Sequence, residues 1–292
     1  MNRPTISERC FDVTNALFLA LLMMVTIYPI IYITFASVSD AARLMAFNGI
    51  LWRPLGFSLD AYASVFENPM ILKGYGNTFF VVLTGLAFNI LLTSLGAYAL
   101  SRKSLKYRKQ LMLFIVFTMF FSGGLIPFYL TVKGVGLANT LWALIIPQAI
   151  NTFNLILMKT AFEAIPDALE ESAKMDGAND FVILFRIILP LSMPVIAVML
   201  LYYGVSHWNS WFHALIFLQD RSMYPLQLVL REILLQGEAS AMAVGASVTD
   251  AGMLSVTLKY ATIIVATVPI LLVYPFLQKY FVKGALIGAI KG

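Results

Sequence analysis

Six stretches of this 292-residue chain contain no Asp, Glu, Lys or Arg: residues 13–39, 74–101, 110–132, 134–158, 187–219 and 260–278. The shortest holds 19 residues and the longest 33, while a helix needs about 20 mostly apolar residues to cross a bilayer. An Asp, Lys or Arg at the centre of such a helix costs about 2.5–3.5 kcal/mol on the insertion scale, so six charge-free windows are not a chance outcome. A transmembrane barrel needs ~10-residue segments of alternating polarity, and these windows are continuous apolar runs. Composition agrees: 60% of the chain is hydrophobic and 12% charged, against about 45–50% and about 25% in a soluble domain. The expected fold is an all-α integral membrane protein. It is a single transmembrane domain, 1–292, with six helices near 15–37, 77–100, 111–132, 138–158, 193–217 and 260–279, surrounded by membrane lipid.

The first window follows Arg3 and Arg9 and precedes small residues, as a secretory signal would. Its 27 residues exceed the ~7–15 of a signal core, so it is read as the first span. Cys10 is the only cysteine, which leaves no intrachain disulfide and no thiol cluster for a metal.

Six spans put both chain ends on one side of the membrane. That side, which also holds the second and fourth connections, collects thirteen Lys and Arg against seven on the other. The positive-inside rule then places both termini in the cytoplasm. Five of the thirteen lie in eight residues, Arg102, Lys103, Lys106, Arg108 and Lys109. Topology accounts for this patch, and a nucleic-acid role is not required. The loops 40–73 and 220–259 are expected outside, the first as short interfacial helices and the second ending in small-residue turns over 239–252. Pro29, Pro127, Pro147, Pro194, Pro269, Pro275 and the Gly123-Gly124 pair fall within or at the ends of spans and predict kinks, which membrane helices tolerate when neighbours satisfy the freed backbone groups.

The segment 159–190 is charged, amphipathic and expected in the cytoplasm. Pro166 suits the first turn of a helix, Asp167, Glu170 and Glu171 lie near its positive end, and Gly177 supplies a left-handed stop. Asn179 or Asp180 can cap a second helix running to Pro190. Within it stand Glu171-Ser172-Ala173, three residues, Gly177, nine residues, Ile187, one residue, Leu189-Pro190. This resembles the cytoplasmic loop of binding-protein-dependent ABC importer permeases, Glu-Ala-Ala, three residues, Gly, nine residues, Ile, one residue, Leu-Pro. Ser172 alone departs, one small residue for another. The resemblance implies a type I importer permease fold whose coupling helix, Glu170, Glu171, Ser172, Ala173, Met175, Asp176, Gly177 and Ala178 with Ile187, Leu189 and Pro190, docks on an ATPase subunit. The segment 121–127, the stretch 139–160, the run Trp208-Asn209-Ser210-Trp211 and the tail 278–292 resemble the carbohydrate branch, which includes maltose-type permeases. The tail is most similar to permeases for complex or acidic oligosaccharides of the aldouronate and alginate kind.

The chain has no Gly, four residues, Gly-Lys-Ser/Thr stretch, so no phosphate-cradling loop of that type. The resemblance implies that ATP and Mg are bound by two partner ATPase subunits and that no cofactor sits on this chain. It also implies a second permease subunit in a heterodimer, an extracytoplasmic solute-binding protein, a carbohydrate substrate and a bacterial inner-membrane location. The expected role is translocation and not catalysis. An ion-coupled carrier or channel is the alternative, but such proteins commonly place ionisable residues inside their spans, and these windows lack Asp, Glu, Lys and Arg.

Polar residues within the windows concentrate in spans four and five: Gln148, Asn151 and Asn154, then Tyr202, Tyr203, His207, Trp208 and Asn209. Aromatic faces and amides suit sugar rings and hydroxyls, and the three amides, spaced three apart, are expected on one helix face lining a pathway. Interhelical packing is the competing reading for the amides, and a place in an interfacial aromatic belt is the competing reading for Trp208 and Trp211. His207 and His213 have no ligand-spaced Cys, Asp or Glu nearby and are expected as hydrogen-bonded packing residues. Gly284, Gly288 and Gly292 would form a smooth strip if the tail is helical, either packing a helix or touching the ATPases.

Overall fold

The computed structural model describes residues 6–243, 256–272 and Pro275, and within these every regular element is helical. In chain order they are α1 Ile6–Ser37, α2 Ala41–Met45, α3 Asp60–Glu67, α4 Pro69–Ser101, α5 Arg108–Phe120, α6 Leu125–Gly134, α7 Thr152–Glu163, α8 Asp167–Met175, α9 Asp180–Ile183, α10 Leu189–Leu191, α11 Met193–Trp208, α12 Phe212–Phe217 and α13 Leu226–Ala243, then α14 Val256–Leu272. The chain divides into two compact units, Met1–Pro69 with Leu230–Val268, and Met70–Val229 with Pro269–Gly292.

Among the described residues two helices, α1 and α4, are long and apolar enough to cross a membrane unbroken. None of the most apolar stretch of α1 is buried in the protein. An apolar helix this bare is suited to lipid and not to water. Three further windows are each split into a bent pair: α5 and α6 at 113°, the turns 141–148 and α7 at 48°, and the helices 180–191 and α11 at 86°. With the shorter apolar α14, each of the six charge-free windows has its helical counterpart.

The bends have local causes. Between α5 and α6, Gly124 has φ 86° and ψ 174°, a backbone state open only to glycine. Before α7 the chain runs through two 3₁₀ turns, Leu141–Leu144 and Ile146–Gln148, and Asn151 caps the helix by accepting from the Asn154 N–H at 3.1 Å. Between α9 and α10 a π turn over Leu184–Ile188 has the Leu189 N–H donating to Leu184 O, five residues back. Pro190 then has no N–H to give, and at Ser192 (φ −98°, ψ 14°) the helix breaks, with Pro194 in the first turn of α11. Proline without a donor, its ring against the carbonyl four residues earlier, is a sufficient cause.

These findings correct three expectations. The third and fifth spans are not single helices, and the fourth begins as 3₁₀ turns, with α-helix only from Thr152. Residues 239–243, expected as turns, continue α13. The rest of that stretch, the end of the sixth window apart from Pro275, and Gly284, Gly288 and Gly292 lie outside the described residues.

In the first unit, Ala36 and Leu44 with Leu51 form a small core against Tyr32, Phe35, Leu55, Val256 and Tyr260. In the second, the largest core joins Ala97, Tyr98 and Leu100 of α4, Leu155, Met158 and Phe162 of α7, Ala173 of α8, Ile183 and Ile188, and Ile196, Met199 and Tyr203 of α11. One cluster therefore holds α8 together with three of the long helices.

Candidate functional site

The segment 164–190 folds as its punctuation requires. Pro166 sits immediately before α8, at φ −59°, and Asp167 and Glu170 occupy the first turn, where carboxylates complement the helix dipole. Gly177 takes φ 82°, the left-handed state that ends a helix at low steric cost. Asn179, the first of the two expected caps, accepts from the Val182 N–H at 2.9 Å and starts α9. In α8 only Ala173 is buried. Ile165 and Ala178 flank it against the same core, so the helix is pinned by three small or medium apolar contacts. Its other face is open: Met175 is 87% exposed, Leu169 is 43% exposed, and Glu171, Ser172 and Asp176 are exposed as well. Of the motif's later residues, Ile187 and Leu189 pack partly against the core while Pro190 is exposed.

Charge completes the anchoring. Glu170 accepts from Arg102, which follows α4 directly, and from Lys174 at 2.7 Å. Lys103 pairs with Asp167, and Arg108, the first residue of α5, pairs with Glu163 at the end of α7, which also binds Lys159 at 2.8 Å. Lys174 lies 3.7 Å from Asp180. The Arg102 guanidinium rests over the Tyr98 ring, 4.7 Å from its centroid, and donates to Ser101 Oγ at 2.9 and 3.0 Å. Burial works against ionisation of Glu170, but the hydrogen bonds from Lys174 and Arg102 outweigh it and hold the carboxyl below its usual range. The Lys103 hydrogen bond does the same to Asp167, and Glu170 in turn raises Lys174. Reading the 102–109 patch as a topology signal missed these partners, which nothing in a local motif reveals.

Pro147, Gln148, Ile150, Asn151, Phe153, Asn154, Tyr202, Tyr203, Ser206 and His207 line a cavity of about 440 Å³, within the usual range for small-molecule pockets. Six of the eight residues expected on the pathway are therefore brought together. The other two are elsewhere. Trp208 is buried against Tyr75 and Phe79, with ring centroids 6.4 and 5.9 Å away, and the exposed Asn209 closes α11 as its C-cap. The three amides do not share a helix face: Gln148 ends a 3₁₀ turn, Asn151 is the extended cap and Asn154 is in the first turn of α7. Convergence comes from the break in the chain and not from helical periodicity.

Behind this cavity is a neutral hydrogen-bond network. Asn89 of α4, fully buried, donates through Nδ2 to the carbonyls of Gln148 and Ala149 at 2.8 and 2.9 Å. Its Oδ1 accepts from His207 Nε2–H at 2.8 Å. Gln148 Nε2 donates to His213 Nδ1 at 2.9 Å, so both histidines are hydrogen-bonded. Tyr203 Oη accepts from the Asn151 backbone N–H at 3.0 Å and shares a hydrogen bond with Thr93 at 2.8 Å. Gly85 makes the approach possible, because a Cβ there would stand 2.6 Å from His207 Nε2. Asn89 and Thr93 were not singled out from sequence, although an amide inside an apolar window is itself a signal. Among the described residues no group of three His, Cys, Asp or Glu could hold a metal.

Comparison with known proteins places this geometry. The chain is 45% identical over 290 residues, 98% of its length and 99% of the relative's, to the polygalacturonan/rhamnogalacturonan transport system permease protein YtcP of Bacillus subtilis (strain 168). It is 44% identical over 288 residues, 99% of this chain and 97% of the relative, to protein LplC of the same organism. Among solved structures, a chain from a bacterial ABC transporter involved in the import of the acidic polysaccharide alginate matches with TM-score 0.86 and 33% identity, covering 96% of this chain and 100% of that one. The model of one family matches residues 90–286, which include α7, α8 and the cavity. This chain belongs to the family of binding-protein-dependent transport system inner membrane components.

Proposed function

We propose that this chain forms half of the translocation pathway of an ATP-driven importer of acidic oligo- or polysaccharides, received from an extracytoplasmic binding protein. The observation that carries the reading is one core of the second unit, in which Ala173 of the docking helix and Tyr203 of the cavity belong to the same packed cluster. Movement of α8 is thus tied to the cavity wall. The cavity offers what a sugar requires: amide donors and acceptors from Gln148, Asn151 and Asn154, and ring faces from Phe153 and Tyr202. The substrate class follows from the names of the relatives, polygalacturonan/rhamnogalacturonan and alginate.

In this reading the chain is one six-span permease domain with both termini in the cytoplasm, supported by the excess of Lys and Arg on that side. A second permease subunit supplies the other half of the pathway. One of two ATPase subunits docks on the open face of α8 around Leu169, Glu171 and Met175, and ATP and Mg reside on the ATPase subunits. The family leaves the ion-coupled carrier without support. The test is uptake of galacturonate oligosaccharides into proteoliposomes holding the full complex. Asn154→Ala and Tyr202→Ala are expected to change the KM or rate of uptake while the complex still assembles. Uptake identical to wild type in both variants would return these residues to a packing role.

A further inference from the structure

Resting on the docking role of α8, we propose that the basic connection 102–109 is a second transmission arm, which carries the movement of the coupling helix into α4 and α5. Along the chain, α8 joins α7 through residues 164–166, and on its other side it runs through α9, the π turn and α10 to α11, crossing the 86° break at Ser192. The ionic route bypasses that break. Arg102, one residue beyond α4, grips Glu170 on α8, and both side chains are largely withdrawn from solvent, at 15% and 13% exposure. Lys103 grips Asp167 on the first turn of α8, and Arg108 joins the start of α5 to Glu163 at the end of α7. The outer pair is well solvated, at 80% and 53% exposure, and contributes register more than strength. The inner pair is the stiff link. Arg102 is locked by Ser101 and the Tyr98 ring, Glu170 by Lys174, and α8 has only Ala173 as a buried apolar anchor of its own. A nine-residue helix is too short to hold its place alone. A rigid push on α8 therefore reaches the end of α4, whose buried Ala97, Tyr98 and Leu100 lie in the core that also contains Tyr203.

The experiment measures ATP hydrolysis and solute uptake in the same proteoliposomes, with the complete importer. Arg102→Glu is expected to retain the ATPase subunits and their hydrolysis while uptake per ATP falls by about tenfold, and the charge swap Arg102→Glu with Glu170→Arg is expected to recover most of it. A merely structural role would not give a swap-rescued ratio. Should Arg102→Glu yield no folded complex, Arg102→Gln with Arg108→Gln removes two links without placing like charges together, and the same fall is expected. Unchanged uptake per ATP in either variant, or a swap that fails to restore it, overturns the proposal. Failure of the docking role itself would be seen separately, as ATPase subunits that stay bound when Glu171 is removed.

Discussion

At the coupling segment, Arg102, Lys103 and Arg108 meet Glu170, Asp167 and Glu163 as full charges; at the cavity, Asn89, Gln148, His207, His213, Tyr203 and Thr93 meet as neutral donors and acceptors. Both sets tie together helices distant in sequence, and both touch the same apolar cluster. The solvent decides which chemistry is used. At the water boundary an ion pair keeps part of its hydration and the long cationic side chains can adjust. Inside the hydrocarbon a charge is costly and an unpaired polar group costs several kcal/mol, so the network is built on amides that donate and accept at once. The coupling face can therefore tolerate loss of one partner better than the cavity wall can.

Asn89→Leu is the most damaging test of that contrast. It leaves His207 Nε2–H and the carbonyls of Gln148 and Ala149 without partners, at about 1–3 kcal/mol for each buried group, and the expected result is a marked loss of folded protein and a lowered Tm in detergent. An unshifted Tm would show that water or a neighbouring chain substitutes for the amide. Next in size is Glu171→Ala, for which docking of the ATPase subunits is expected to weaken by ~2 kcal/mol, roughly 30-fold, as at an interface hot spot, with membrane insertion intact. Titration of the complex with ATPase subunits measures it, and wild-type affinity would remove Glu171 from the interface. Lys103→Gln should be nearly silent in thermal unfolding, because both members of its ion pair are well solvated.

The smallest effect is with pH. Glu170 and Asp167 have folded-state carboxyls held below their ordinary values of 4.5 and 3.8. A group lowered in this way stabilises the fold at all pH above its ordinary pKa, and its contribution fades only as pH falls through the lower folded value. Uptake per ATP and Tm should therefore show no step from these pairs between pH 6 and 8. A step in that window, absent in Arg102→Gln, would mean that the pairs do not form as described.

How far the molecule was legible follows the range of the signals. Length and charge set out six spans because insertion is a local free energy, and α1 and α4 answer to it directly. Caps and stops at Asn179 and Gly177 were legible for the same reason, since each acts within a turn. The breaks were only half legible: Gly123-Gly124 and Pro190 to Pro194 mark the places, but the angles of 113° and 86° depend on packing. Spacing by three in Gln148, Asn151 and Asn154 picks out residues that line one cavity, but not through a shared helix face, because the α-helix begins only at Thr152. Trp208 is singled out by its residue type, and it packs against Tyr75 and Phe79 and not in the cavity lining. The contacts of Asn89 and Arg102 lie with segments 59 to 118 residues away, beyond the reach of any periodic pattern.

Whether this chain works as one of two membrane subunits of an ATP-driven importer is decided by purifying it in mild detergent through an N-terminal tag and identifying by mass spectrometry what accompanies it. An ATPase subunit and a second permease are expected in stoichiometric amounts, with the ATPase subunit depleted and the second permease retained in Glu171→Ala. A folded, monodisperse chain that brings down neither would contradict that role.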